Sequence, residues 1–148
     1  MKEEFTRYLY EIGIKDLFYI EVVKTYDRVT KLISDEITDI FVTDYVESDG
    51  RRNYEDLILF TSGRIVEAQR FITQGGLFVN QISSYPLAGM DLNSTAYDFE
   101  NASAESRLNA GLVFGPAGFG GLRIDLKASG NNCDFLTAVL KKYFLSRQ

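Results

Sequence analysis

The chain has 148 residues, 16 of them basic and 21 acidic, for a formal charge of −5 at pH 7. Hydrophobic residues make up 45% and charged residues 25%, ordinary proportions for a globular domain long enough to bury a core without staples. There is no histidine and one cysteine, Cys133, which excludes Ser-His and Cys-His catalysis, imidazole ligation, an intrachain disulfide and a CxxC site. The negative balance argues against general binding to nucleic acid or to anionic membranes, since both demand a positive surface. No apolar run approaches the roughly 20 residues that cross a bilayer. Arg7, Glu11, Lys15 and Asp16 interrupt the stretch where a signal peptide needs its apolar core. The sequons Asn93-Ser94-Thr95 and Asn101-Ala102-Ser103 matter only in a secreted eukaryotic protein. A free cysteine agrees with the expected cytoplasmic location.

Residues 3–33 read as helical. Glu3 to Glu11 form a first helix with Phe5, Tyr8 and Leu9 on one side, and Gly13 is a suitable terminator. A second helix is predicted from Lys15 to Ile33. Tyr19, Val22, Val23, Tyr26, Val29 and Ile33 share one face by their spacing, with Glu21, Lys24, Asp27, Arg28 and Lys31 largely on the other. From Thr38 the period shifts toward two, and Ile40, Val42 and Asp44 alternate with Phe41, Thr43 and Tyr45 as in a strand. Ser48-Asp49-Gly50 supplies a turn. Tyr54–Thr61 and Arg64–Ile72 are strands around the hairpin signal Ser62-Gly63. Gln74-Gly75-Gly76 turns into a strand over Phe78–Tyr85, which Pro86 limits to an edge or an end.

Met90–Phe99 is the next strand, and Asn101–Ser106 reads as a loop. Leu108–Phe114 and Gly121–Ala128 make the last hairpin. Asp134–Arg147 is a closing helix with Phe135, Leu136, Val139, Leu140, Tyr143 and Phe144 on a broad apolar face. Asn131, Asn132 or Asp134 is its expected cap. Helices and strands do not alternate, so the chain is α+β with an antiparallel sheet or barrel, not a parallel doubly wound fold.

This order, with Asp56-Leu-Ile-Leu-Phe-Thr-Ser-Gly-Arg-Ile-Val66, Ile82-Ser-Ser-Tyr-Pro-Leu-Ala-Gly-Met-Asp-Leu92 and Leu122-Arg-Ile-Asp-Leu126 before the final helix, resembles the pleckstrin-homology superfold. It is most similar to the bacterial PH-like domains. The resemblance covers residues 36–146 and implies a seven-stranded antiparallel barrel or sandwich capped by a C-terminal helix. The expected organisation is an N-terminal helical extension over 1–35 and a PH-like domain over 36–148. Two departures qualify the resemblance. The tryptophan that many eukaryotic PH domains carry in the last helix is absent. Phosphoinositide-binding members use several basic residues at the first hairpin loop, whereas here Arg51-Arg52 stand among eight acidic residues from Asp35 to Asp56. Phosphoinositide or membrane binding is therefore not expected.

Five glycines fall between Gly111 and Gly121. Gly118-Phe119-Gly120 begins a dinucleotide pattern, but Arg123 stands in place of the last glycine and β-like residues follow. A hairpin tip offering Phe119 to a partner is the functional reading of this segment. The acidic run Asp35, Glu36, Asp39, Asp44, Glu47 and Asp49 lacks calcium-loop spacing and reads as a solvated surface. No pair of carboxylates is singled out for glycoside hydrolysis. Cys133 lies where a helix dipole acidifies a thiol; without a histidine base, a bystander cysteine is expected. Ser62, Ser83 and Ser84 lack a nucleophile-elbow context. Arg51 and Arg52 either balance Asp49, Glu55 and Asp56 across the hairpin or contact a small anion or acidic peptide. Exposed tyrosines among the 9 present would favour protein interfaces.

The expected function is thus a non-catalytic PH-like module for protein–protein interaction or self-assembly, with Arg51, Arg52 and Phe119 as contact residues. No catalytic residue, cofactor or metal is implied. The partner is another protein or further copies of the chain, not nucleic acid. A small-molecule or lipid carrier with a cavity under the final helix is the alternative, and an enzyme using carboxylates or tyrosines ranks behind both.

Overall fold

The computed structural model describes residues 1–47, 49–72, 78–98, 107–114 and 123–145. Two helices come first, α1 (Lys2–Glu11) and α2 (Asp16–Leu32). Among the described residues seven strands follow: β1 (Ile37–Val46), β2 (Arg52–Thr61), β3 (Arg64–Ile72), β4 (Phe78–Pro86), β5 (Met90–Asp98), β6 (Arg107–Phe114) and β7 (Arg123–Ser129). Helix α3 (Asn132–Leu140) closes the chain and continues as a π-helical turn over Lys141–Leu145. The α+β class and seven strands agree with the expectation from sequence. A closed barrel does not form. The strands make a four-stranded sheet in the order β1-β2-β3-β4 and a three-stranded sheet in the order β5-β6-β7. Pro86 ends β4 and a 3-10 turn, Leu87–Gly89, separates it from β5. A residue without an N–H cannot carry the ladder onward.

The chain forms two compact units, Met1–Val42 with Glu55–Tyr85, and Thr43–Tyr54 with Pro86–Gln148. In the first, α1 ends at Gly13 in the left-handed conformation, φ +88°. The Gly13 N–H donates to the Tyr10 carbonyl and the Ile14 N–H to the Leu9 carbonyl, the pairing of a Schellman stop. Phe5 stacks on Tyr26 with ring centroids 4.5 Å apart, and Phe5, Leu9, Ile12 and Val29 are all buried. The Tyr8 hydroxyl accepts the Val42 N–H at 2.9 Å, tying α1 to β1. β2 and β3 pair antiparallel, with Leu57 opposite Ala68 and Phe60 opposite Ile65. Leu57–Phe60 are buried without interruption, so both faces of this strand are covered and period-two patterning fades.

In the second unit the alternation is clean. Ile124, Leu126 and Ala128 of β7 are buried between exposed Arg123, Asp125 and Lys127. Helix α3 lies on β6 and β7 and buries Leu136, Val139 and Leu140, and the π-helical turn after it buries Phe144. No helix among the described residues is long and apolar enough to cross a membrane.

Candidate functional site

The sequence-predicted contact residues fall in three different settings. Arg51 stands at the exposed tip of the β1–β2 hairpin, where Gly50 takes φ +88°. Its Nε donates to Asp49 at 2.7 Å and a terminal nitrogen to Glu47 at 3.0 Å, while its backbone N–H donates to the same Asp49 carboxylate. These are turn-stabilising surface pairs of small energetic weight. Arg52 turns inward. Its Nε donates to Asp44 at 2.7 Å, and a terminal nitrogen donates to the Ser129 carbonyl at 3.0 Å. Its guanidinium lies over the Tyr54 ring at 5.3 Å. The balancing carboxylates are therefore Glu47, Asp49 and Asp44; Asp56 instead accepts the Arg70 N–H within the first unit. Phe119, with the glycine-rich tip over 115–122, lies outside the described residues.

Asp44 departs from the solvated reading of the acidic run. It is fully buried and also accepts hydrogen bonds from the Ser129 N–H at 3.0 Å and the Asn132 amide at 2.6 Å. Strand alternation alone could not separate it from its exposed neighbours; the missing signal was the distant donor set on β7 and α3. Asn131 occupies the N-cap of α3 without a side-chain capping bond. Cys133 in the first turn is buried. Burial, then the Asp44 and Asp134 carboxylates, push its thiol up to about 11. The helix dipole is overridden, and Cys133 is a protonated core thiol at neutral pH, not an activated nucleophile.

In the first unit, a cleft of about 20 Å³ opens between α2 and the sheet, with Val42, Leu57 and Ala68 among its apolar lining and Glu21, Arg70 and Asn80 among its polar lining. Arg70 donates to Glu21 at 2.8 Å and stacks over Phe18 at 4.3 Å. Asn80 accepts from Thr25 and, at 3.0 Å, from Arg28. Glu21 therefore belongs to this polar seam rather than to a free outer face. The cleft has room for a water-sized group, far below the roughly 300 Å³ at which small-molecule sites begin.

Large apolar side chains do meet solvent on the helices. Tyr10 is 83%, Leu17 78% and Ile20 48% exposed. The periodicity that picks out Tyr19, Val22, Tyr26 and Val29 as an inner face leaves Leu17 and Ile20 outside it. Beyond them on the same side of α2 lie exposed Lys24, Arg28 and Lys31. No family model, no curated protein and no solved structure matches the chain.

Proposed function

We propose that the chain is a non-catalytic module of PH-like plan that acts through protein–protein contact, with another protein or with further copies of itself. The observation that carries this reading is the solvent-facing apolar pair Leu17 and Ile20 on α2. Single exposed apolar residues are ordinary, whereas Leu17 and Ile20 sit one turn apart on one helix. Neighbouring apolar side chains rimmed by charge are typical of protein contact sites. The PH-like plan is supported by seven antiparallel strands followed by one C-terminal helix.

The test combines native mass spectrometry of the full-length protein with affinity capture from its own cell extract. The expected result is the bare chain or an integral multiple of it, with a partner held by the wild type and lost by Leu17→Asp/Ile20→Asp. A reproducible small-molecule adduct on the monomer would replace this reading with that of a carrier.

A further inference from the structure

Leu17, Ile20, Lys24, Arg28 and Lys31 follow one another at spacings of three and four, so they form a single stripe along α2, about 21 Å long. All five are exposed. Two of the helix's carboxylates already have cation partners, Glu21 with Arg70 and, at the surface, Asp27 with Lys2, while Asp16 lies exposed beside Leu17 at the apolar end. Among the described residues Lys24 and Lys31 have no ion-pair partner, and Arg28 donates only to the neutral amide of Asn80. A chain of net charge −5 thus presents one helix face with three uncompensated positive charges beyond an apolar end.

Resting on the protein-contact reading, we infer that this α2 stripe docks an acidic segment of another protein, with apolar side chains over Leu17 and Ile20 and carboxylates over Lys24, Arg28 and Lys31. Charge complementarity selects this occupant. Two copies meeting stripe to stripe would bring six cations together, in either relative direction. A helix lying in a bilayer surface needs its apolar stripe along the whole length with cations beside it. Here exposed Leu17 and Ile20 lie at one end of α2 and exposed Leu32 at the other, with Lys24, Arg28 and Lys31 between them, so no continuous apolar stripe faces a flat membrane.

The test uses full-length protein and a fluorescein-labelled peptide of two leucines three residues apart followed by six glutamates, read by fluorescence anisotropy. A version with lysines in place of the glutamates is the control. Binding should saturate, weaken at high salt, and fall roughly tenfold in Lys24→Glu/Lys31→Glu, as expected for two exposed ion pairs turned repulsive. Leu17→Ser/Ile20→Ser should weaken it as well. These positions are exposed, and circular dichroism of the variants checks that the fold is kept. Equal binding to wild type and Lys24→Glu/Lys31→Glu would overturn the assignment to α2. Failure to bind the peptide would also overturn it, and light scattering and vesicle sedimentation then separate the causes. Self-association abolished by Leu17→Ser/Ile20→Ser would leave the protein-contact reading standing with a second copy as occupant. Retention on phosphatidylserine vesicles without peptide binding would overturn both readings.

Discussion

Replacing Asp44 by alanine strips the acceptor from Arg52, the Ser129 N–H and the Asn132 amide at once. Breaking a buried pair leaves the partner charge uncompensated, which costs about 3–5 kcal/mol. Asp44→Ala is expected to lose stability of that order in urea denaturation, and a change within about 1 kcal/mol would mean the network behaves as a surface pair. The adjacent Ser129 hydroxyl is the opposite case: it is buried without a hydrogen-bond partner. Ser129→Ala removes an unsatisfied group while keeping the backbone bonds, so stability should rise by about 1 kcal/mol. In the first unit, Glu67 is 9% exposed and stands opposite Ile58. Burial, then the Asp56 charge, raises its pKa above the ordinary 4.5. A raised carboxyl favours the protonated folded state. Its contribution is complete below pH 4.5 and is lost as pH rises through the higher folded value. Glu67→Gln should match the wild type in acid, exceed it at neutral pH, and flatten that slope in urea melts across pH. An unchanged slope would place the titration elsewhere.

At the scale of elements, the stop of α1 depends on one residue. Gly13 at φ +88° donates one Schellman hydrogen bond and turns the chain so that Ile14 donates the other, and a Cβ there costs roughly 1–2 kcal/mol. Gly13→Ala should lower the thermal midpoint accordingly, and an unchanged midpoint would show that the α1–α2 connection relaxes freely. This turn was legible because glycine after an amphipathic run has a single physical use. The strand pairs around Ser62-Gly63 and the start of β5 at Met90 were legible for similar local reasons. Asp44, Asn132 and Arg52 were not, since their meanings arise from contacts 8 to 88 residues apart. The outward side of α2 was half legible: Lys24, Arg28 and Lys31 followed from spacing. The exposure of Leu17 and Ile20, and the inward role of Glu21, depend on which part of the helix the sheet covers. Phe119 was chosen for an exposed hairpin tip that lies outside the described residues.

For the molecule as a whole, the question is whether residues 1–35 are an appendage or part of a core. In sequence they precede the stretch that resembles a PH-like domain. In the structure, Phe5, Tyr8, Leu9, Ile12, Ile14, Val22, Tyr26 and Val29 are buried, in the same compact unit as most of β2 and β3. Tyr8 supplies an acceptor to Val42, and Glu21 neutralises Arg70 at 2.8 Å. Large-to-small truncation of a single buried side chain costs about 2–5 kcal/mol, against a typical total of about 5–15 kcal/mol for a domain. Loss of eight such side chains exceeds what the first unit can absorb. A chain reduced to 36–148 should therefore lose slow amide exchange in β2 and β3. The ladder of β6 and β7 under α3 belongs to the other compact unit and should retain protection. Hydrogen exchange followed by mass spectrometry distinguishes the outcomes by segment. Undiminished protection in Leu57–Phe60 would show that the sheet holds itself together and that the helices serve only as a contact surface. Loss in both segments would show that the two units unfold as one cooperative body.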